Sequence, residues 1–245
     1  MVVNGVPANL LLRDLVAVAI SFALSLLWLR MMDTLAARGI VGSRTSRKII
    51  HIGTGPLFVL CWLLFTPSPA ARWLAALVPL AITVRFALIG IGRLRDDEAV
   101  TAMTRHGDRR EILRGPVYYG IVFVVCTLGF WRTDPVGIAA LMILCGGDGL
   151  ADIVGRRFGR RRLPHNPGKS WAGSSAMFAG GFGLAVAMLA LFSAAGTFTT
   201  PLPPDTPRSI VWIALGCTIV ESLPVQDLDN LTISATAIVL GLVLL

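Results

Sequence analysis

Two carboxylates four residues apart, Asp148 and Asp152 in the run CGGDGLADIVGRR, are the first feature of this chain whose spacing suggests chemistry. If the run is helical, both acids lie on one face and Arg156 continues it one turn later. Carboxylates at the edge of a membrane span are costly unless they face a cavity, a partner or an ion. The pair suits a hydrated magnesium ion, which takes one or two carboxylates and completes its shell with water and phosphate oxygens. The plainer alternative is a pair of interfacial acids bridged to Arg156 and Arg160. Gly146, Gly147 and Gly149 around Asp148 either let a ligand approach the backbone or reflect loose helix packing.

Cations follow at once. GRRFGRRRLPHNPGKSWAGS supplies Arg156, Arg157, Arg160, Arg161, Arg162 and Lys169, and an apolar run opens near Ser170. Cations beside a helix N-terminus make a natural phosphate site. Lys169 is the strongest candidate, and many of the arginines serve as topology determinants. PGKS has the ending of a nucleotide-binding P-loop, but Leu163 stands where the earlier glycine belongs and no strand precedes it.

Two further segments carry polar groups beside apolar runs. VESLPVQDLDNLT offers Glu221, Asp227, Asp229 and Asn230. Glu221 ends one apolar run and Asp229 opens the next, so these acids either join Asp148 and Asp152 around magnesium or hold Lys169 and Lys48 in place. Capping of a helix by Asp227 or Asp229 is the simpler alternative. SRKIIHIGTG places Arg47 and Lys48 before His51, which is either a base on a hydroxyl group or an interfacial hydrogen-bonder. Acids for a metal, cations for phosphates and apolar surroundings point to an enzyme joining a charged nucleotide to a hydrophobic substrate.

The elements that must position these groups are membrane spans. Of 245 residues, 55% are hydrophobic and 15% charged, whereas a soluble domain carries about 25% charged residues. Lipid must therefore cover much of the surface. The fold expected is all-α, a polytopic transmembrane helical bundle forming one membrane domain over 1–245. About eight spans are expected, within a range of seven to nine, at roughly 10–30, 50–66, 71–92, 115–131, 134–153, 171–196, 208–222 and 228–245. The second and seventh are short for a span. MVVNGVPANLLLRD lacks the basic start of a secretory signal and the Arg/Ser-rich character of a transit peptide, so the first run reads as a retained span. Cys61, Cys126, Cys145 and Cys217 lie in or at the ends of apolar runs without a CxxC pair, which points to packing.

The net charge of +8 does not indicate nucleic acid, because the basic residues sit in turns between apolar runs, where topology signals and headgroup contacts belong. With both termini on the non-cytoplasmic side, inward turns hold seventeen Lys and Arg residues and outward segments hold four, Arg13, Arg72, Arg132 and Arg208. Arg85 falls inside the third span. This layout brings all the polar motifs to the cytoplasmic side.

At RKIIHIGTG, GDGLADIVGRRFG, LPHNPGKSWAGS and ESLPVQDLDNLT the sequence resembles the phytol kinase and polyprenol (dolichol) kinase family of integral membrane proteins. The resemblance implies transfer of the γ-phosphate of a nucleoside triphosphate, typically CTP, to the hydroxyl of an isoprenoid alcohol such as phytol, farnesol, geranylgeraniol or a polyprenol. It further implies that Asp148 and Asp152 hold Mg2+, with Glu221 and Asp229 completing the metal set. Lys169, Arg156, Lys48, Ser170 and Asn230 would bind nucleotide and phosphates, and His51 would lie near the substrate hydroxyl. The alcohol is expected to reach the site laterally from the bilayer. A CTP-dependent cytidylyltransferase of the CDP-diacylglycerol synthase type shares a similar acid–Gly–Arg–Lys–Ser/Thr–Trp block. That group usually ends in an HGG…DRxD-like motif, whereas no histidine follows His165 here. An ion-coupled membrane transporter would tend to place acids near the bilayer midplane and to show internal repeats; these acids cluster at one face and no repeat is visible.

Overall fold

In lipid, a chain this apolar must satisfy its backbone polar groups internally, and helices do so within each segment. The computed structural model describes residues 2–3, 6–224 and 227–245. Val225 and Gln226 of the ESLPVQDLDNLT segment lie outside the described residues. The helices are α1 (Ala8–Ala37), α2 (Ser43–Cys61), α3 (Ala71–Gly90), α4 (Asp97–Met103), α5 (Gly115–Gly129), α6 (Pro135–Met142), α7 (Gly149–Phe158), α8 (Trp171–Ala194), α9 (Thr206–Ser222) and α10 (Asp229–Leu244). The all-α helical bundle expected from the sequence is the architecture found.

Among the described residues, six helical stretches are long and apolar enough to cross a bilayer: Asn9–Ala37, Arg44–Leu64, Ala71–Gly90, Arg109–Gly129, Pro135–Phe158 and Trp171–Ala194. The seventh and eighth expected spans are α9 and α10, of 17 and 16 residues. At 1.5 Å per residue each rises only about 25 Å. The second span is longer than its apolar stretch suggested, because the basic residues Arg44, Arg47 and Lys48 are wound into α2. Lys48, expected before the span, therefore sits on the same helix as His51, about one turn ahead of it.

α6, a π-helical stretch Ile143–Asp148 and α7 form one continuous central rod, of which 83% of the most apolar window is buried inside the bundle. α8 packs along this rod, and α2, α5, α9 and α10 also touch it. α1 packs on α2, α3 and α4, and α3 packs on α5. Outward-facing Leu12, Leu27, Trp73, Trp212, Val239 and Val243 leave an apolar exterior suited to lipid. The four cysteines are buried and unpaired.

The glycines flanking Asp148 work as packing residues. A Cβ on Gly146 would lie 2.6 Å from the Gly180 carbonyl, and one on Gly180 would lie 2.6 Å from the Gly146 carbonyl. The two backbones meet with no room for a side chain, which brings α8 against the segment that ends at Asp148. Gly146→Ala is expected to force the helices apart and cost about 1–3 kcal/mol. A lower thermal unfolding midpoint in detergent would register this, and an unchanged midpoint would refute the close-packing role.

Short elements join the helices at the polar end. Asp96 caps α4 by accepting from Ala99 N at 3.0 Å. A two-stranded hairpin, β1 (Arg162–Leu163) with β2 (Asn166–Ser170), replaces the loop expected around PHNPGKS. It is tied to the end of α9 through Ser222, whose hydroxyl lies 3.0 Å from His165 Nε2 and whose carbonyl accepts from Asn166 Nδ2 at 3.0 Å.

Candidate active site

The π-helical stretch ends at Asp148. Widening the helix by one residue per turn re-aims the side chains that follow, and such segments are frequent at functional sites. Here the Asp148 carboxylate meets two side chains from α2. Lys48 Nζ donates to Oδ2 at 2.7 Å, and His51 Nε2 lies 3.2 Å from the same oxygen. Lys48 and Asp148 side chains are each 10% exposed, so the ion pair is almost dry and correspondingly dependent on both partners. His51 Nε2 also lies 3.3 Å from the Leu144 carbonyl. Two acceptors around Nε2 place the imidazole proton there and leave Nδ1 as the lone-pair nitrogen. Tyr119 of α5 holds the ring from the other side: its hydroxyl donates to the His51 carbonyl at 2.6 Å, and its ring centroid lies 4.3 Å from that of His51.

A cavity of about 580 Å3 opens beside this trio. Its two ends differ in chemistry. The polar end is lined by Arg47, Lys48, Arg105, Arg110, Asp148 and Asp229. The apolar end runs between α2, α3 and α5 and is lined by Phe58, Val78, Ile82 and Phe123. Seven residues of α2 separate His51 from Phe58, a depth of about 10 Å. This is a pocket for an amphiphile, with its charged or reactive group at Asp148 and its hydrocarbon between the helices.

Comparison with known proteins identifies the lineage. A probable chloroplastic phytol kinase of Triticum aestivum is 41% identical over 239 residues, covering 97% of this chain and 79% of the relative. The chain belongs to the phytol kinase family. A chloroplastic farnesol kinase of Arabidopsis thaliana is 39% identical over 240 residues, with 97% and 78% covered. Phytol kinase 1 of the same plant, also chloroplastic, is 35% identical over 240 residues, with 97% and 79% covered. No family model matches the chain, and no solved structure matches it.

In this phytol kinase relative the polar residues singled out by spacing divide into two connected groups. Lys48, His51 and Asp148 form the first. Lys169, Glu221 and Asp229 form the second: Lys169 Nζ donates to Glu221 Oε1 and lies 3.6 Å from Asp229 Oδ2. Burial of Lys169 works against its charge, but the two carboxylates outweigh it and hold its pKa above the usual lysine value. Asp229 also lines the cavity on which the first group opens. Asn230, beside it, lines the cavity and donates to the Gly115 carbonyl at 2.9 Å.

Other residues stand apart. Asp152 pairs with Arg156 at 2.9 Å, one turn along α7. Ser170 caps α8 by accepting from Gly173 N at 3.1 Å. Arg157, Arg160, Arg161 and Arg162 are exposed. Capping by Asp227 or Asp229 is not realised, since α10 opens at Asp229 and the capping position is Leu228, with no side-chain cap. Asp227 instead adopts a positive φ of 61° and pairs with Arg114 at 2.8 Å. Among the described residues, no three His, Cys, Asp or Glu side chains gather into a ready-made metal cage. Spacing missed Tyr119, Arg105 and Arg110. The tyrosine sits in an apolar run, and the arginines read only as topology signals. The one available hint was that both tyrosines of the chain, Tyr118 and Tyr119, open the same span.

Proposed function

We propose that this chain is an isoprenoid alcohol kinase that transfers the γ-phosphate of a nucleoside triphosphate to an alcohol held in the cavity beside Asp148. The observation that carries the reading is the cavity itself, which joins a dry Lys48–His51–Asp148 cluster to an apolar shaft of a size suited to one lipid-like molecule. Kinship with proteins named phytol kinase and farnesol kinase supports the same substrate class. CTP is the donor implied by the sequence resemblance.

In this reading the hydrocarbon lies in the shaft and the hydroxyl meets the polar end. The hydroxyl oxygen forms a bond to the γ-phosphorus as the bond from that phosphorus to the β-phosphate bridging oxygen breaks, releasing the nucleoside diphosphate. The hydroxyl proton passes to His51 Nδ1, the nitrogen left free by the contacts at Nε2. Lys48, with Arg47, Arg105 and Arg110 at the mouth, offsets phosphate charge; such reactions depend mainly on positioning and charge stabilisation. Arg156, Lys169, Ser170 and Asn230 are the further nucleotide-binding candidates.

The donor set fits magnesium. Lys48 and His51 both contact Asp148 Oδ2, so the other oxygen is committed to neither, and Asp229 lines the same cavity. Asp148 and Asp229 would hold the ion, with Asp152 and Glu221 as the further candidates from the sequence; the ion would neutralise charge on the β- and γ-phosphates. The seventeen-to-four distribution of basic residues supports a cavity mouth on the cytoplasmic side with both termini opposite.

The test is an assay of purified protein in detergent with γ-labelled CTP or ATP, magnesium, and phytol, farnesol, geranylgeraniol or a long polyprenol. Label is expected in an organic-soluble monophosphate. No labelled lipid with any alcohol, together with pyrophosphate release from CTP and a lipid phosphate, would move the protein to the cytidylyltransferases. Inactivity in both assays alongside ion flux in liposomes would favour a transporter.

A further inference from the structure

We propose that Phe58 and Phe123, backed by Val78, set the longest alcohol this enzyme accepts. The inference rests on the kinase reading above and adds which residues measure the substrate. All three side chains line the apolar end of the cavity and are themselves 2% exposed or less. The Phe58 and Phe123 rings meet with centroids 5.9 Å apart. Behind them sit Trp62, whose ring centroid is 6.1 Å from that of Phe58, and Cys126, both fully buried. The shaft therefore ends on packed aromatic side chains in the interior of the bundle, not on a lipid-facing surface.

The position of this floor fixes a length. One wall is a column of rings running downward from His51 through Tyr119 and Phe123 to Phe58, with successive centroids 4.3, 4.6 and 5.9 Å apart. The hydroxyl is held at the His51 end, so the tail can extend only as far as Phe58. The cavity of about 580 Å3 is finite, and part of it is the polar end that would receive the phosphates. An alcohol of a few isoprene units fills the remainder. A long polyprenol with its hydroxyl at His51 has nowhere to place most of its chain.

Replacing Phe58 with Ala removes a ring about as large as one isoprene unit at the floor. Phe58→Ala is expected to raise the kcat/KM ratio of geranylfarnesol to farnesol about tenfold or more, in line with what buried hydrocarbon contributes to discrimination. The opposite change, Thr83→Phe in the shaft wall, is expected to lower the ratio of geranylgeraniol to geraniol by a similar factor. Ratios within twofold of the unsubstituted enzyme for both variants would overturn the ruler while leaving the kinase intact. Absence of turnover by the unsubstituted enzyme with every alcohol would overturn the kinase reading instead.

A measurement on the unsubstituted protein guards against variants that fail to fold. A geranylgeraniol analogue with a diazirine on its terminal isoprene unit is expected to label peptides containing Phe58, Val78 or Phe123 on irradiation, and excess geranylgeraniol should suppress the label. Label confined to outward-facing positions such as Val239 and Val243 would overturn the proposal.

Discussion

Asp148→Asn is expected to reduce phosphoryl transfer by about a thousandfold or more and to destabilise the protein at the same time. Both effects follow from the same carboxylate. Oδ2 is the partner of Lys48 and lies beside His51 Nε2. An amide in its place keeps the shape but removes the charge that offsets Lys48 in a site only 10% exposed. Leaving a buried charge without its partner costs about 3–5 kcal/mol. Lost activity alone would therefore not separate catalysis from folding. The double variant Lys48→Met with Asp148→Asn removes the orphaned charge, so its thermal midpoint should recover most of the loss while turnover stays absent. If the single variant kept more than a tenth of its activity at a normal midpoint, Asp148 would not be at the reacting centre.

How much of this could be read from the sequence depends on how far apart the partners are. The helices were legible because each is a local apolar run, and a fault in reading one does not spread to the next. Asp148, Lys48 and His51 were legible as individual polar residues in apolar surroundings. Their meeting was not, because it depends on two helices a hundred residues apart and on a π-helical stretch that re-aims Asp148. The glycines at 146 and 147 hinted at irregular backbone without saying which face would turn toward α2. Arg105 and Arg110 were counted as topology signals, and charge alone does not distinguish an arginine that lines a cavity from one that meets headgroups. Asp152 and Ser170 show the reverse: striking in the sequence, they are met in the structure by an adjacent arginine and a helix cap. The cavity was hidden most completely, since the apolar residues lining it are of the same types as those facing lipid.

Lys169→Met is expected to be nearly as damaging as the change at Asp148, and it puts a sharper question. Glu221 is 3% exposed and would lose the ammonium that accompanies it, again at a cost of about 3–5 kcal/mol. Asp229, 3.6 Å from the same nitrogen, would be freed at the cavity edge. A stability loss is thus certain to accompany any loss of turnover, and the informative variant is the double, Lys169→Met with Glu221→Gln. It removes the buried anion together with its partner, so the midpoint should return toward that of the unsubstituted protein. If Lys169 reaches the nucleotide phosphates, the double variant remains inactive, with at least a hundredfold loss in kcat/KM for the nucleotide. This is the expected result. Recovery of turnover along with stability would mean that Lys169 serves to tie α9 to α10 and that the phosphates are held by Lys48 and the arginines at the mouth. The pH profile adds an independent check. The neighbouring carboxylates hold the Lys169 pKa above its ordinary 10.5, so its charge and the stability it confers are complete below that value and fade only as pH rises beyond it. A loss of activity between neutral pH and pH 9 would therefore have to come from another group.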